Sequence, residues 1–243
     1  MNALQPLSSE SLKEKCIFKL EELIFSGYFA PGQRLPAERD LARQLGISRP
    51  VVHEAIVELA SMGLVTLQPR KGTVVNEFRA EGTLALVTSM ARHGSADEHG
   101  KLVSDMLHLR LLFEVDAARL AALKRSDRDC EAMKEICRER ERVPEDQASL
   151  QAQIDFRFHQ AVMIATDNYL YPLLLNSFRD FHLDLAEKFY RQRGVLAFVR
   201  EKHCDLIGAI ERGAPDLAAQ IMKDLIGHGE KHLLSTKEEG NHE

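Results

Sequence analysis

The sequence predicts a mostly α-helical protein in two domains. Residues 1–77 read as a winged helix-turn-helix of three helices plus a β-hairpin wing, and residues 78–243 as an all-helical bundle of six to seven helices. Three observations lead there. Residues 35–73 run in the order helix, glycine turn, helix, glycine, hairpin. From Ala80 onward apolar residues recur at helical spacing, and no stretch alternates as a strand does. The 243-residue length accommodates two domains, and 44% hydrophobic with 28% charged residues is a globular composition.

The first helix is predicted from Ser11-Leu-Lys-Glu14, a capping box, through an apolar face of Leu12, Cys16, Leu20, Leu23 and Ile24 to Ser26-Gly27. Residues 1–8 read as disordered. Pro31-Gly32 is a turn. Pro36 is expected to open the second helix, with Leu41, Ala42 and Leu45 inward and Gly46 as its left-handed stop. Ser48 is placed to cap the third helix with its hydroxyl, and Pro50 falls in the first turn, where a missing N–H costs nothing. Val52, Ala55, Ile56, Leu59 and Ala60 form its apolar face, and Gly63 ends it. Leu64–Leu67 and Thr73–Val75 read as two strands around a Gln68-Pro-Arg-Lys-Gly72 turn.

Helix, turn, helix and a basic wing is a DNA-reading unit. Arg49 sits in the first turn of the second helix of the pair, the end that reaches base edges, and a guanidinium can bond guanine O6 and N7 together. Arg34 and Arg39 flank the first helix of the pair, and Arg70, Lys71 and Gly72 form the wing tip. Charge is distributed to match. Residues 34–76 hold six cations and four anions, +2, which leaves 26 cations and 33 anions, −7, elsewhere within a total of −5. DNA contact therefore belongs to the N-terminal part.

The run LPAERDLARQLGISRPVVHEAI, followed by GLV and PRKGTVV, resembles the N-terminal winged helix of the GntR family of bacterial transcription regulators over about residues 10–77. The resemblance implies DNA contacts at Arg34, Arg39, Ser48, Arg49 and the Lys71–Gly72 tip. It also marks His53, where the family usually carries Arg; an imidazole is a shorter and weaker phosphate partner that strengthens on protonation.

The rest of the chain is predicted as helices over 83–92, 102–124, 126–142, 150–165, 169–191, 196–212 and 216–234, with a loop over 93–97, a break at Pro144, a turn at Thr166-Asp-Asn168, and a polar, frayed tail. HLRLLFEVDAARLAA, IDFRFHQAV with Asn168 after it, and KHCDLIGAIERG resemble the all-helical FCD effector domain of the FadR branch of that family, over about residues 80–235. Four scattered cysteines (Cys16, Cys130, Cys137 and Cys204) suggest buried thiols in a reducing compartment and no disulfide framework. There is no secretory leader pattern and no apolar run of membrane-spanning length, so the expectation is a cytoplasmic protein with no membrane partner.

Asp155 and His159 lie one helical turn apart among apolar neighbours, and His203 precedes the core face of a later helix. Together they form a candidate site for zinc or another divalent transition metal. The resemblance implies a fourth ligand at a position occupied here by Leu225, with His228 and His232 as the nearest imidazoles. The alternative is a hydrogen-bonded Asp–His pair in a metal-free core. Tyr169 with LLLNSF, which includes Asn176, and Gly227-His228-Gly229-Glu230 resemble the fatty-acid-responsive members of the branch. That likeness implies a metal-free bundle that binds long-chain acyl-CoA, with Tyr169, Asn176 and His228 at the effector. Arg110 and Glu114, one turn apart, read either as a surface ion pair or as an inward Arg110 that clamps an effector carboxylate.

The resulting expectation is a homodimeric regulator that reads a palindromic operator, most simply as a repressor, controlled by a small organic acid with or without metal. An acyl-CoA-responsive regulator without metal is the nearest alternative. A helical-bundle metalloenzyme using Asp155, His159 and His203 to activate water, and a DNA-binding protein with no effector, are readings of other classes.

Overall fold

The computed structural model describes residues 12–93 and 96–239. The expected disorder of residues 1–8 and the Ser11 end of the capping box lie outside the described residues, as do residues 94–95 of the predicted loop and 240–243 of the tail. The chain divides into two compact units between His99 and Gly100.

The first unit contains α1 (Leu12–Phe25), α2 (Glu38–Leu45), α3 (Arg49–Ser61), β1 (Val65–Gln68), β2 (Gly72–Val75), α4 (Phe78–Glu81) and α5 (Leu84–His93). Leu20, Val52, Ala55, Ile56, Leu59 and Leu64 are fully buried, so the apolar stripes of α1 and α3 meet as their spacing requires. Gly46 has φ 67 and closes α2. β1 and β2 pair antiparallel with Gln68 opposite Gly72, leaving Pro69, Arg70 and Lys71 as the wing tip. Arg34 bridges to Val74, which extends the hairpin with a third segment.

Three details differ from the expectation. The α2 helix begins at Glu38 with Ala37 as N-cap, so Pro36 precedes the helix rather than opening it. Ser48 is the N-cap of α3, but its hydroxyl makes no cap hydrogen bond, which leaves the exposed hydroxyl available outward. The unit also extends past residue 77, because α5 packs on α1: Leu86 enters the same core and the Ser89 hydroxyl donates to the buried carboxylate of Glu21.

The second unit is helical among its described residues. It contains α6 (Ala96–Lys124) from Gly100 onward, α7 (Asp127–Glu141), α8 (Ala148–Ile164), α9 (Leu170–Ser177), α10 (Arg179–Tyr190), α11 (Val195–Glu211) and α12 (Pro215–Glu239). Ser126 is the N-cap of α7 and forms a full capping box with Asp129. The α8 helix is central and packs against α7, α9 and α10. Ile154, Phe158 and Val162 on α8 are fully buried, an apolar surround that makes any polar group on the same helix answer for its own solvation.

The single helix predicted over 169–191 is two helices. Ser177 donates its hydroxyl to the Leu173 carbonyl at 2.8 Å, and Phe178 leaves helical geometry at φ −108, ψ 13 to bury its ring. The break lets α9 and α10 both lie on α8. It also turns Leu173, expected inside, out to 59% exposure.

Candidate nucleic-acid interface and effector site

On the first unit, Arg34, Arg39, Ser48, Arg49, His53, Arg70, Lys71 and Gly72 are all exposed. The start of α2, the start of α3 and the wing enclose a concavity of about 620 Å³ lined by Arg39, Arg49 and Gly72 among others. Arg70 at φ 64 and Gly72 at φ 89 turn the wing tip, and only the glycine adopts that conformation without strain.

Glu38 was not foreseen. From the first turn of α2 its carboxylate accepts from Arg49 Nε at 3.1 Å and pairs with His53 Nδ1 at 2.7 Å. The His53 hydrogen bond, with Arg49 beside it, holds the Glu38 carboxyl below the usual range. Side chains one turn apart on α3 are thus held by one carboxylate on α2.

In the second unit a polar network fills the centre of the bundle. Asp155 on α8 accepts at Oδ1 from the Tyr190 hydroxyl of α10 at 2.6 Å and from Arg140 Nη2 of α7 at 3.2 Å. Arg140 Nη1 lies 3.0 Å from His203 Nδ1 of α11. The His203 ring stacks on Phe158 at 3.6 Å, with its Nε2 3.6 Å from Asp155 Oδ1. His159 Nε2 and His182 Nε2 each lie 3.6 Å from Asp155 Oδ2. On its other side His159 Nδ1 contacts Glu114 of α6, whose second oxygen accepts from Arg110 Nε at 2.6 Å.

Every one of these side chains except Arg110 is buried. Arg110 itself is 13% exposed and Glu114 wholly enclosed, so the pair is internal and not the surface ion pair weighed from sequence. Burial alone would raise the Asp155 carboxyl; His159, His182, Arg140 and His203 override it and hold it well below its usual range. Burial would likewise raise Glu114, and Arg110 and His159 hold it far below. Burial pushes His182 down to about 4, with the Arg110 cation adding to it, and drives His203 well below its usual value with Arg140 adding. Burial and the Asp155 charge push the Tyr190 hydroxyl up.

Ligand atoms of Asp155, His159 and His203 lie within 4.8 Å of one another, a donor set able to coordinate a divalent cation. His159 Nδ1 faces the Glu114 carboxylate, which can only accept, so that nitrogen carries a proton, and Nε2 faces Asp155. His203 Nδ1 instead faces a guanidinium that can only donate. His228 is not part of the set; its ring stacks on Phe198 at 3.9 Å and lies 6.0 Å from Phe189.

A cavity of about 40 Å³ adjoins the network, lined by Arg110, Asp155, His159, Phe189, Tyr190 and Leu225 among others. It brings Arg110 together with the Asp155 pair. Tyr169 is 89% exposed, and Asn176 is exposed and accepts from Gln160 at 2.7 Å; neither lines the cavity, because the α9–α10 break turns that face outward. His228 does not line it either.

Sequence reasoning missed Arg140, His182 and Tyr190. His182 carried a signal, being four residues after Phe178 and three before Leu185 on one helical face. Arg140 carried none, since ICRERER reads as a solvated charge run.

A helix-turn-helix pair with a basic wing, followed by a helical bundle with a cavity beside a buried polar network, defines a ligand-responsive DNA-binding regulator. Residues 12–75 match the model described as bacterial regulatory proteins of the gntR family, and residues 105–228 match the FCD domain. The chain belongs to the GntR family of transcriptional regulators and carries an FCD-type effector domain, consistent with the FadR branch. Its role is DNA binding and regulation, not enzymatic turnover.

Among relatives, the HTH-type transcriptional regulator LutR of Bacillus subtilis is 31% identical over 154 residues, 63% of this chain and 68% of that one. The fatty acid metabolism regulator protein of Klebsiella pneumoniae is 25% identical over 204 residues, 83% of this chain and 82% of that one. The solved structure of Streptococcus agalactiae GntR shares the fold with a TM-score of 0.51 at 23% identity, covering 90% of this chain and 99% of that one. No helix among the described residues is long and apolar enough to cross a membrane.

Proposed function

We propose that this protein is a homodimeric repressor whose first unit reads DNA and whose second unit, beginning at Gly100, binds the effector and dimerises. Two copies present two α3 helices to successive half-sites of a palindrome. Arg49 reads a guanine edge. Arg34, Arg39, Ser48 and His53 hold phosphates, and Arg70, Lys71 and Gly72 place the wing against the backbone.

The effector is a small organic acid taken into the cavity beside Asp155, with its carboxylate on the guanidinium of Arg110. The observation that carries this is the placement of Arg110: a nearly buried cation lining an internal cavity, using its Nε on Glu114. Operator affinity changes by the ratio of effector affinities for the two states of the protein.

A long acyl-CoA chain is the second reading, favoured by the likeness to the fatty acid metabolism regulator protein. The small volume of the cavity, about 40 Å³, supports the small acid instead.

The test is operator binding, followed by fluorescence anisotropy, against mono- and dicarboxylic acids of two to six carbons and against acyl-CoA thioesters. A short acid is expected to release the operator, and Arg110→Gln to abolish that response. Release by acyl-CoA alone would replace the small acid with the thioester.

A further inference from the structure

We propose that Arg140 is the resident cation of the bundle site, taking the place of a metal ion, so that the Asp155–His159–His203 set works without one. The inference deepens the effector reading by removing metal from it, and its own evidence does not depend on the effector.

Three observations carry it. First, Arg140 is 2% exposed and bonds Asp155 at 3.2 Å through Nη2. A divalent ion on Asp155 would share that carboxylate with a guanidinium in a low-dielectric interior, where like charges repel strongly. Oδ1 is in addition taken by the Tyr190 hydroxyl at 2.6 Å.

Second, Arg140 sets the tautomer of His203. A guanidinium has no acceptor, so the 3.0 Å contact requires Nδ1 to accept, and the neutral ring then carries its proton on Nε2. Nε2 is the nitrogen that faces Asp155, at 3.6 Å. A metal ligand needs the reverse: a bare Nε2, with Nδ1–H donating to an acceptor. His203 has the opposite arrangement, with Nδ1 held as an acceptor by the guanidinium, so it does not present a ligand nitrogen to an ion beside Asp155.

Third, the permanent charges close without a metal. Two guanidiniums, Arg110 and Arg140, are bonded to two carboxylates, Glu114 and Asp155. The residues present therefore do not fit an ion, and an effector carboxylate meets Arg110 directly.

The experiment uses full-length protein. Wild type and Arg140→Met are equilibrated with excess zinc, nickel or manganese, desalted, and analysed for metal per chain. In parallel, the histidine tautomers of the wild type are read by long-range ¹H–¹⁵N correlation. Wild type is expected to retain less than a tenth of an ion per chain, and Arg140→Met at least ten times more. His203 is expected as the Nε2–H tautomer.

Near-stoichiometric metal in the wild type, a folded Arg140→Met that gains none, or His203 protonated on Nδ1 would each overturn the proposal. Where Arg140→Met does not fold, the wild-type tautomer and metal content decide alone. Failure of every acid to affect the operator would remove the effector reading and leave this one standing, because metal retention is measured without DNA or effector.

Discussion

Glu38 at the start of α2 accepts a hydrogen bond from Nε of Arg49 at the start of α3, 3.1 Å away. The contact ties the side chain proposed to read a base to the neighbouring helix through Nε, and does not use the two terminal nitrogens of the guanidinium. An arginine held this way loses less conformational freedom when it docks. Glu38→Gln is therefore expected to weaken discrimination between operator and scrambled duplex by about tenfold, within the ~1–3 kcal/mol that an oriented bidentate contact carries. Affinity for scrambled DNA should rise, since a carboxylate is lost beside the phosphates. An unchanged ratio in paired anisotropy titrations would show that Glu38 does not orient Arg49.

His53 shares that carboxylate, with Nδ1 2.7 Å from the second oxygen. His53→Arg should supply one phosphate contact that the shorter imidazole, held on Glu38, makes poorly. The slope of log affinity against log salt is then expected to steepen by about 0.9, the increment for one added phosphate contact. The measurement is operator binding between low and moderate salt.

Gly63 is a backbone requirement. Its φ is 79, and a Cβ there would lie 2.1 Å from the Glu81 carbonyl oxygen. Gly63→Ala should cost about 2–4 kcal/mol from the clash and the left-handed conformation together. Thermal unfolding of the first unit's helices would register it, while Gly46→Ala, whose Cβ meets nothing within 4 Å, should cost less.

Stability should fall in mild acid. His182 is pushed down to about 4 by burial, and His203 is lowered in the same direction. Both rings are neutral when folded and take up protons on unfolding, so the unfolded state binds more protons below about pH 6.5. Their contribution is complete above that pH and is lost as pH falls toward 4, at up to about 1.4 kcal/mol per pH unit for each ring. The carboxylates of Asp155 and Glu114, held low, lose theirs only at more acid pH. Denaturant unfolding at pH 7, 6 and 5 tests this, and His182→Gln should flatten the dependence.

Arg110→Met leaves the fully enclosed Glu114 with His159 as its remaining partner. Removing one member of a buried ion pair costs about 3–5 kcal/mol. A double variant with Glu114→Leu should recover most of that loss, because the pair is then removed together and no buried charge is stranded. Chemical denaturation of the single and double variants reads the difference.

By itself the sequence determined the fold class, the two-part division and the residues proposed to face DNA. Those rest on local chemistry: Gly46 and Gly63 at left-handed stops, Ser126 with Asp129 as a capping box, and apolar stripes on α1, α3 and α8. The order helix, turn, helix, wing fits within forty residues, so the surface formed by Arg39, Arg49 and Lys71 follows from short-range geometry. The Asp155 and His159 pair was readable for the same reason, being one turn of one helix.

Only the tertiary structure decided what surrounds that pair. Arg140, His182 and Tyr190 come from α7 and α10, and a residue's neighbours across a bundle depend on helix rotation and on breaks such as the one at Phe178. No spacing rule relates Arg140 to His203, 63 positions away, yet their contact sets the tautomer and with it the metal chemistry. A charged side chain in a polar run looks solvated until the packing of other helices encloses it, and its energetics are then governed by the partners it finds there.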